Sequence, residues 1–328
     1  MTTGAIESEF KPAWWLPGGH SQTLWRKFSS AKLVEHVRQR VELDDGDFID
    51  LDWTTIDPKK SKDNTIVLLL HGLCGCSKSS YILAMQNLLN EQGIASVAMN
   101  FRGCSGELNR LARAYHSGVS EDVNEIFQKL LIEFPDQNFM FVGYSLGANV
   151  LLKWLGETGA HSRIRKAVAV STPFALEYCS QAMLKGVSRV YGQYFVRRLV
   201  KDFRMKQQYL LLHAPQEAAR IAKLGDTNGI ASIWDFDDRI TAALHGFDGA
   251  KDYYRRCSSL GFLRSIAVQT LLIQSKNDPL IPGKSIPQAD MLSPSTCLQL
   301  TDKGGHVGFV SSHPGNWLEQ RILNFMWL

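Results

Sequence analysis

Five short apolar runs decide most of what this chain can fold into. Residues 65–70 read TIVLLL, and similar runs follow at 95–99, 139–142, 167–170 and 270–273. A continuous apolar run of this length is the mark of a strand buried on both faces. Between the runs lie segments with helical periodicity. In one of them Val123, Ile126, Phe127, Leu130, Leu131 and Phe134 share a helical face, with Ser120 placed as N-cap and Pro135 just beyond the end. Strands alternating with helices predict βαβ units, hence an α/β fold with a mostly parallel, twisted sheet flanked by helices.

The pattern changes in three places. Residues 10–28 are rich in Trp, Pro, Gly and His without a helical or strand period, which reads as an extended arm lying on the body. Residues 34–55 alternate around the turn Asp44-Asp45-Gly46-Asp47, as in a β-hairpin. After Ser171-Thr172-Pro173 the buried strands stop, and the sheet pattern resumes only at Val268. The expected organisation is an N-terminal arm (1–33), an α/β core (34–172 and 263–328) and an inserted helical cap (173–262).

Composition narrows the function classes. Hydrophobic residues make up 45% and charged residues 21% of the 328, so a disordered chain is excluded and a large core needs no disulfides. The net charge of +4 is small and scattered, so no nucleic-acid partner is expected. None of the six cysteines forms a C-x-x-C pair, which fits reduced thiols in the cytoplasm. The first residues lack the apolar core of a secretory signal, and no apolar run approaches the roughly 20 residues of a membrane helix. The expected location is therefore cytoplasmic. No metal is expected: His20, His116, His245 and His313 show no ligand spacing, and H-E-x-x-H is absent. No cofactor is expected either, because the phosphate-cradling glycine patterns are missing. The run Phe101-Arg102-Gly103-Cys104-Ser105-Gly106 matches none of them and reads as a structural turn.

The chemistry concentrates at three points. Gly143-Tyr144-Ser145-Leu146-Gly147 follows a buried apolar run and opens an apolar helix, the setting in which a serine is lifted to the carboxyl edge of a sheet as a nucleophile. Such a serine needs a base, and the base an orienting acid. Downstream, Asp278 follows a buried run on a turn fixed by Pro279, and His306 lies in the glycine-rich loop Gly304-Gly305-His306-Val307-Gly308. Both belong at the same sheet edge, with Asp302 as reserve acid. An oxyanion hole needs two converging N–H groups. The expected donors are Leu146 and, from the loop after the first buried strand, Leu73. His71 in that loop reads as a brace rather than a base.

Taken together, these residues resemble the YheT-like branch of the α/β-hydrolase fold, serine esterase-like hydrolases. The resemblance rests on Ala13-Trp14-Trp15-Leu16-Pro17-Gly18-Gly19-His20-Ser21-Gln22-Thr23, His71-Gly72-Leu73, the Asn100 to Gly106 segment and Gly143 to Asn149. It extends through Asp235-Phe236-Asp237, His245-Gly246-Phe247, Tyr253-Tyr254, Asn277-Asp278-Pro279 and Gly305 to Phe309. It implies hydrolysis of short- to medium-chain esters or acyl lipids, with Ser145 as nucleophile, His306 as base and Asp278 as orienting acid. Acyl transfer by the same three groups, or ligand binding without catalysis, remain alternatives. In the cap, Tyr178, Met183, Tyr191, Tyr194, Phe195 and Phe203 are candidates to line an acyl channel. The basic run Arg197, Arg198, Lys201, Arg204 and Lys206 offers a face to water, or at most to a peripheral anionic membrane surface. Cys74, if turned toward the pocket, would narrow it.

Overall fold

The structure, a computed structural model, describes residues 5–7, 10–29, 31–312 and 317–327. All five apolar runs become strands of one sheet. In chain order the strands are β1 (Ala5–Glu7), β2 (Val37–Glu42), β3 (Phe48–Trp53), β4 (Thr65–Leu70), β5 (Ala95–Asn100), β6 (Asn138–Tyr144), β7 (Ile164–Val170), β8 (Gln269–Ser275) and β9 (Thr296–Thr301). Their order in space is β1-β9-β8-β7-β6-β4-β5-β3-β2. Every neighbouring pair is parallel except β3 on β5 and β2 on β3, so the hairpin forms one antiparallel edge. Every side chain of β4 and β5 is buried, because helices cover both faces of the sheet.

The helices are α1 (Gly19–Phe28), α2 (Ser80–Glu91), α3 (Ser120–Glu133), α4 (Leu146–Thr158), α5 (Leu176–Ala182), α6 (Ser188–His213), α7 (Pro215–Ala222), α8 (Ile233–Phe236), α9 (Ala243–His245), α10 (Gly249–Cys257) and α11 (Trp317–Trp327). Helices α3 and α4 pack one face of the sheet around Phe127, Phe141 and Trp154. On the other face α2 and α11 pack around Met85, Tyr144 and Ile322. From α5 to α10 the chain between β7 and β8 is helices joined by turns and loops, with a π-helical turn (Asp237–Ala242) joining α8 to α9. Among the described residues, no helix is long and apolar enough to cross a membrane.

Two local expectations are corrected. Residues 19–28 form a helix, not an extended segment. The face that α1 buries is polar: Gln22 is fully buried and Arg26 pairs with the buried Glu319 on α11. A polar buried face leaves no apolar period to read. Ser120 is the first helical residue rather than the cap, which is Val119. Its hydroxyl donates instead to Glu157 on α4 (2.6 Å) and accepts from Lys153 (2.8 Å).

Candidate active site

Strand β6 ends at Tyr144, and Ser145 occupies the turn into α4 with φ 51° and ψ −118°. A non-glycine residue rarely holds such a backbone, and here the surroundings enforce it. The Ser145 N–H donates to the Val170 carbonyl of β7 at 2.9 Å. Glycine is required on either side. A Cβ at Gly147 would lie 2.5 Å from the carbonyl oxygens of Leu70 and His71, and one at Gly143 would lie 2.6 Å from Ala148 Cα. The helix therefore packs backbone to backbone on β4, and the Ser145 side chain stands at the carboxyl end of the sheet.

Two further strand ends bring their groups to it. His306 Nε2 lies 2.8 Å from Ser145 Oγ, and His306 Nδ1 lies 2.8 Å from Asp278 Oδ2. Asp278 follows β8. Its Oδ1 accepts from the N–H groups of Leu280 (2.8 Å) and Ile281 (3.1 Å), which fixes the carboxylate plane. Gln274 Nε2 adds a longer contact of 3.3 Å to Oδ2. The Asp278 side chain is fully buried and that of His306 is 11% exposed, so the acid is shielded while the imidazole reaches the cavity. A carboxylate on Nδ1 leaves Nε2 free to accept the serine proton. The N–H groups of Leu73 and Leu146 have no hydrogen-bond partner among the described residues. Both residues line the cavity that Ser145 opens into.

The remaining candidates fall elsewhere. His71 is buried: Nδ1 donates to the Gly72 carbonyl (2.8 Å) and Nε2 accepts from the Phe101 N–H (3.1 Å). Burial lowers its pKa to about 4, so it stays neutral and braces the loop. Asp302 is exposed and pairs with Lys276 at 2.6 Å, away from the imidazole. His116 and His245 lie with ring centroids 4.5 Å apart, and burial holds both below the usual histidine range. His20 stacks on Tyr191. His313 lies outside the described residues. Among the described residues, no group of three or more His, Cys, Asp or Glu side chains is arranged to hold a metal ion.

The cavity around Ser145 is walled by Leu176, Met183, Phe195, Leu199, Leu280 and Ile281, so its surface is mainly apolar. Of the six cap residues expected there, Met183 and Phe195 line it. Tyr178 and Tyr194 instead face solvent, at 39% and 45% exposure, and Phe203 packs with Phe236 and Leu210. Tyr191 packs against the Leu280 and Ile281 side chains from outside the lining. Cys74 opens into a neighbouring cleft with Cys76, Cys104 and Lys206. Burial raises its thiol pKa to about 12, which keeps it protonated. The basic run is not one solvated face, because Lys206 is buried and donates to Asn109, and Arg204 donates to Thr227.

Several residues hold the histidine loop in a role that their local sequence does not disclose. Thr23 Oγ1 accepts from the His306 N–H (2.8 Å), and Ser171 Oγ accepts from the Val307 N–H (2.9 Å). Gln22 donates to the Leu16 and Val310 carbonyls and accepts from the Val310 N–H. Gly305 has φ 64°, and a Cβ there would meet the Gly19 carbonyl at 2.4 Å. Helix α1 is therefore seated directly against the loop that carries His306.

Comparison with known proteins places this geometry. YheT of Escherichia coli (strain K12), whose name marks it as a candidate esterase, is 39% identical over 99% of this chain and 96% of its own length. Phospholipase ABHD3 of Bos taurus is 29% identical over 96% of this chain and 76% of its own. Among solved structures, the Pyrococcus furiosus esterase Pf2001 superposes with a TM-score of 0.57 at 18% identity, covering 90% of this chain and 92% of that one. That likeness is one of fold. The family model described as alpha/beta hydrolase fold matches residues 65–312, from the first core strand to just past the histidine loop. With three-quarters of its length matched and one relative similar almost end to end, this chain belongs to the alpha/beta hydrolase fold family.

Proposed function

We propose that this protein is a serine hydrolase of carboxylic esters, with Ser145 as nucleophile, His306 as general base and Asp278 as the acid that orients it. The observation that carries the reading is the chain of two 2.8 Å contacts from Ser145 Oγ through His306 to Asp278. Relatives named esterase and phospholipase support ester cleavage as the activity.

The reaction has two halves. His306 Nε2 takes the Ser145 proton as Oγ attacks the ester carbonyl, and the Leu73 and Leu146 N–H groups receive the developing oxyanion. His306 then protonates the leaving alcohol, and an acyl-enzyme remains. Water, deprotonated by the same imidazole, attacks the acyl carbonyl and releases the acid and Ser145. Asp278 stabilises the imidazolium in both halves. The helical segment 173–262 serves as the cap of the cavity and sets substrate size through Met183, Phe195 and Leu199. The apolar walls suit a short- to medium-chain acyl ester or an acyl lipid.

The test is fluorophosphonate labelling followed by peptide mapping, alongside p-nitrophenyl ester turnover. Label on Ser145, and loss of turnover in folded Ser145→Ala, is the expected result. Unchanged turnover in that variant removes Ser145 from the reaction. Added alcohol or thiol acceptors in the same assay report whether the acyl group is transferred instead of hydrolysed.

A further inference from the structure

The motif Asp235-Phe236-Asp237 with Tyr253-Tyr254 plays no part in the triad, yet four of its side chains line the cavity that holds Ser145 and His306: Phe236, Asp237, Tyr253 and Tyr254. Asp237 opens the π-helical turn, a local departure from α-helix that recurs at functional positions. The residue is 9% exposed. Its Oδ1 accepts from Thr241 Oγ1 at 2.8 Å and its Oδ2 from Tyr254 Oη at 2.7 Å. Both donors are neutral hydroxyls, and no cation pairs with Asp237 among the described residues. A carboxylate accepts about four hydrogen bonds, so two accepting positions stay open. A second observation points the same way. Ser180, from α5, is 4% exposed and lines the same cavity beside Tyr254, and its Oγ makes no hydrogen bond of standard geometry.

We propose that Asp237 and Ser180 form a polar subsite of the cavity that binds a hydrogen-bond donor, a hydroxyl or ammonium group, carried by the substrate away from its ester bond. A purely structural bridge between Thr241 and Tyr254 is met without a buried charge by an amide, whose oxygen accepts from one hydroxyl and whose NH2 donates to the other. The carboxylate offers further acceptors where the wall is mainly apolar, and burial pushes its pKa up to about 6. A site built to receive a donor rejects an analogue that lacks one, because the acceptors are then left unpaired. This inference rests on the ester-hydrolase reading for its substrate but not for its binding test.

The experiment compares p-nitrophenyl esters of acids bearing a terminal methyl, hydroxyl or ammonium group, over a range of chain lengths, as kcat/KM. The expected result is a chain length at which the hydroxyl or ammonium ester is preferred over its methyl counterpart relative to the intrinsic reactivity. That preference falls about tenfold or more in Asp237→Asn, and falls in part in Ser180→Ala. The hydroxyl and ammonium arms tell a neutral donor from a cation. In parallel, calorimetry measures binding of ω-hydroxy, ω-ammonio and plain carboxylic acids to the intact protein, which needs no turnover. Absence of ester cleavage with retained selectivity for either donor-bearing acid overturns only the hydrolase reading. Equal ratios in wild type and Asp237→Asn, or equal binding of all three acids, overturn the subsite.

Discussion

Replacement of Asn149 tests how helix α4, which follows Ser145, is tied to the rest of the molecule. Asn149 is fully buried on α4, one turn beyond Ser145. Its Nδ2 donates to the carbonyls of Ser117 (2.7 Å) and Cys257 (2.8 Å), and its Oδ1 accepts from the Ser259 N–H (2.9 Å). One side chain thus joins the helix to the loop before α3 and to the end of α10. Asn149→Ala leaves two carbonyls and one N–H buried without partners. At about 1–2 kcal/mol for each orphaned group, the loss is about 3–6 kcal/mol. With a urea m-value of roughly 3 kcal/mol/M, the unfolding midpoint falls by about 1–2 M. Asn149→Asp sharpens the test, because it keeps the shape and the acceptor but turns an oxygen toward two carbonyl oxygens. Its carboxyl is easier to keep protonated folded than unfolded, so its stability is lost as pH rises through the carboxylate range and above. Urea titrations of both variants at pH 5 and pH 8 measure this. A midpoint shift under about 0.3 M for Asn149→Ala, or an Asn149→Asp penalty independent of pH, refutes the reasoning.

Three further outcomes are expected. Asp278→Asn lowers kcat by roughly 10³–10⁴ while Asp302→Asn stays within a few-fold of wild type, because only Asp278 meets the imidazole; steady-state kinetics on a p-nitrophenyl ester distinguishes them. Asp237→Asn gains stability relative to wild type as pH rises from about 4 to about 6. The native carboxyl titrates near 6 against 3.8 when free, so wild type loses up to about 3 kcal/mol over that window, and a pH series of urea midpoints reads the gap. Tyr253 and Tyr254, the acidic hydroxyls nearest it, are both pushed well above their usual range and do not titrate there. Thr23→Val leaves the His306 N–H unpaired and lowers kcat by about tenfold with KM little changed, since Thr23 holds the loop and is not among the cavity-lining side chains.

The strands and the three side chains that meet at Ser145, His306 and Asp278 were legible in the sequence for local reasons. Burial on both faces writes itself as an apolar run, and close backbone approach at Gly143 and Gly147 writes itself as glycine on either side of Ser145. Helix α1 was not legible, because it buries Gln22 and Arg26 through hydrogen bonds and an ion pair rather than through apolar contact. The support of His306 by Thr23 spans 283 residues and leaves no local pattern. In α6, helical spacing marks which residues share a face but not which face turns inward. Phe195 therefore lines the cavity while its neighbour Tyr194 meets water.

The seat of α1 against the histidine loop bears on the order in which the molecule can be completed. During synthesis residues 19–26 leave the ribosome long before residues 305–319, their partners in Gly305, His306, Val310 and Glu319. The N-terminal segment is made long before these partners, so the His306 imidazole reaches the Ser145 hydroxyl only after residues 305–319 have followed. A nascent or prematurely terminated product that stops short of residue 305 therefore carries the serine turn without the imidazole beside it.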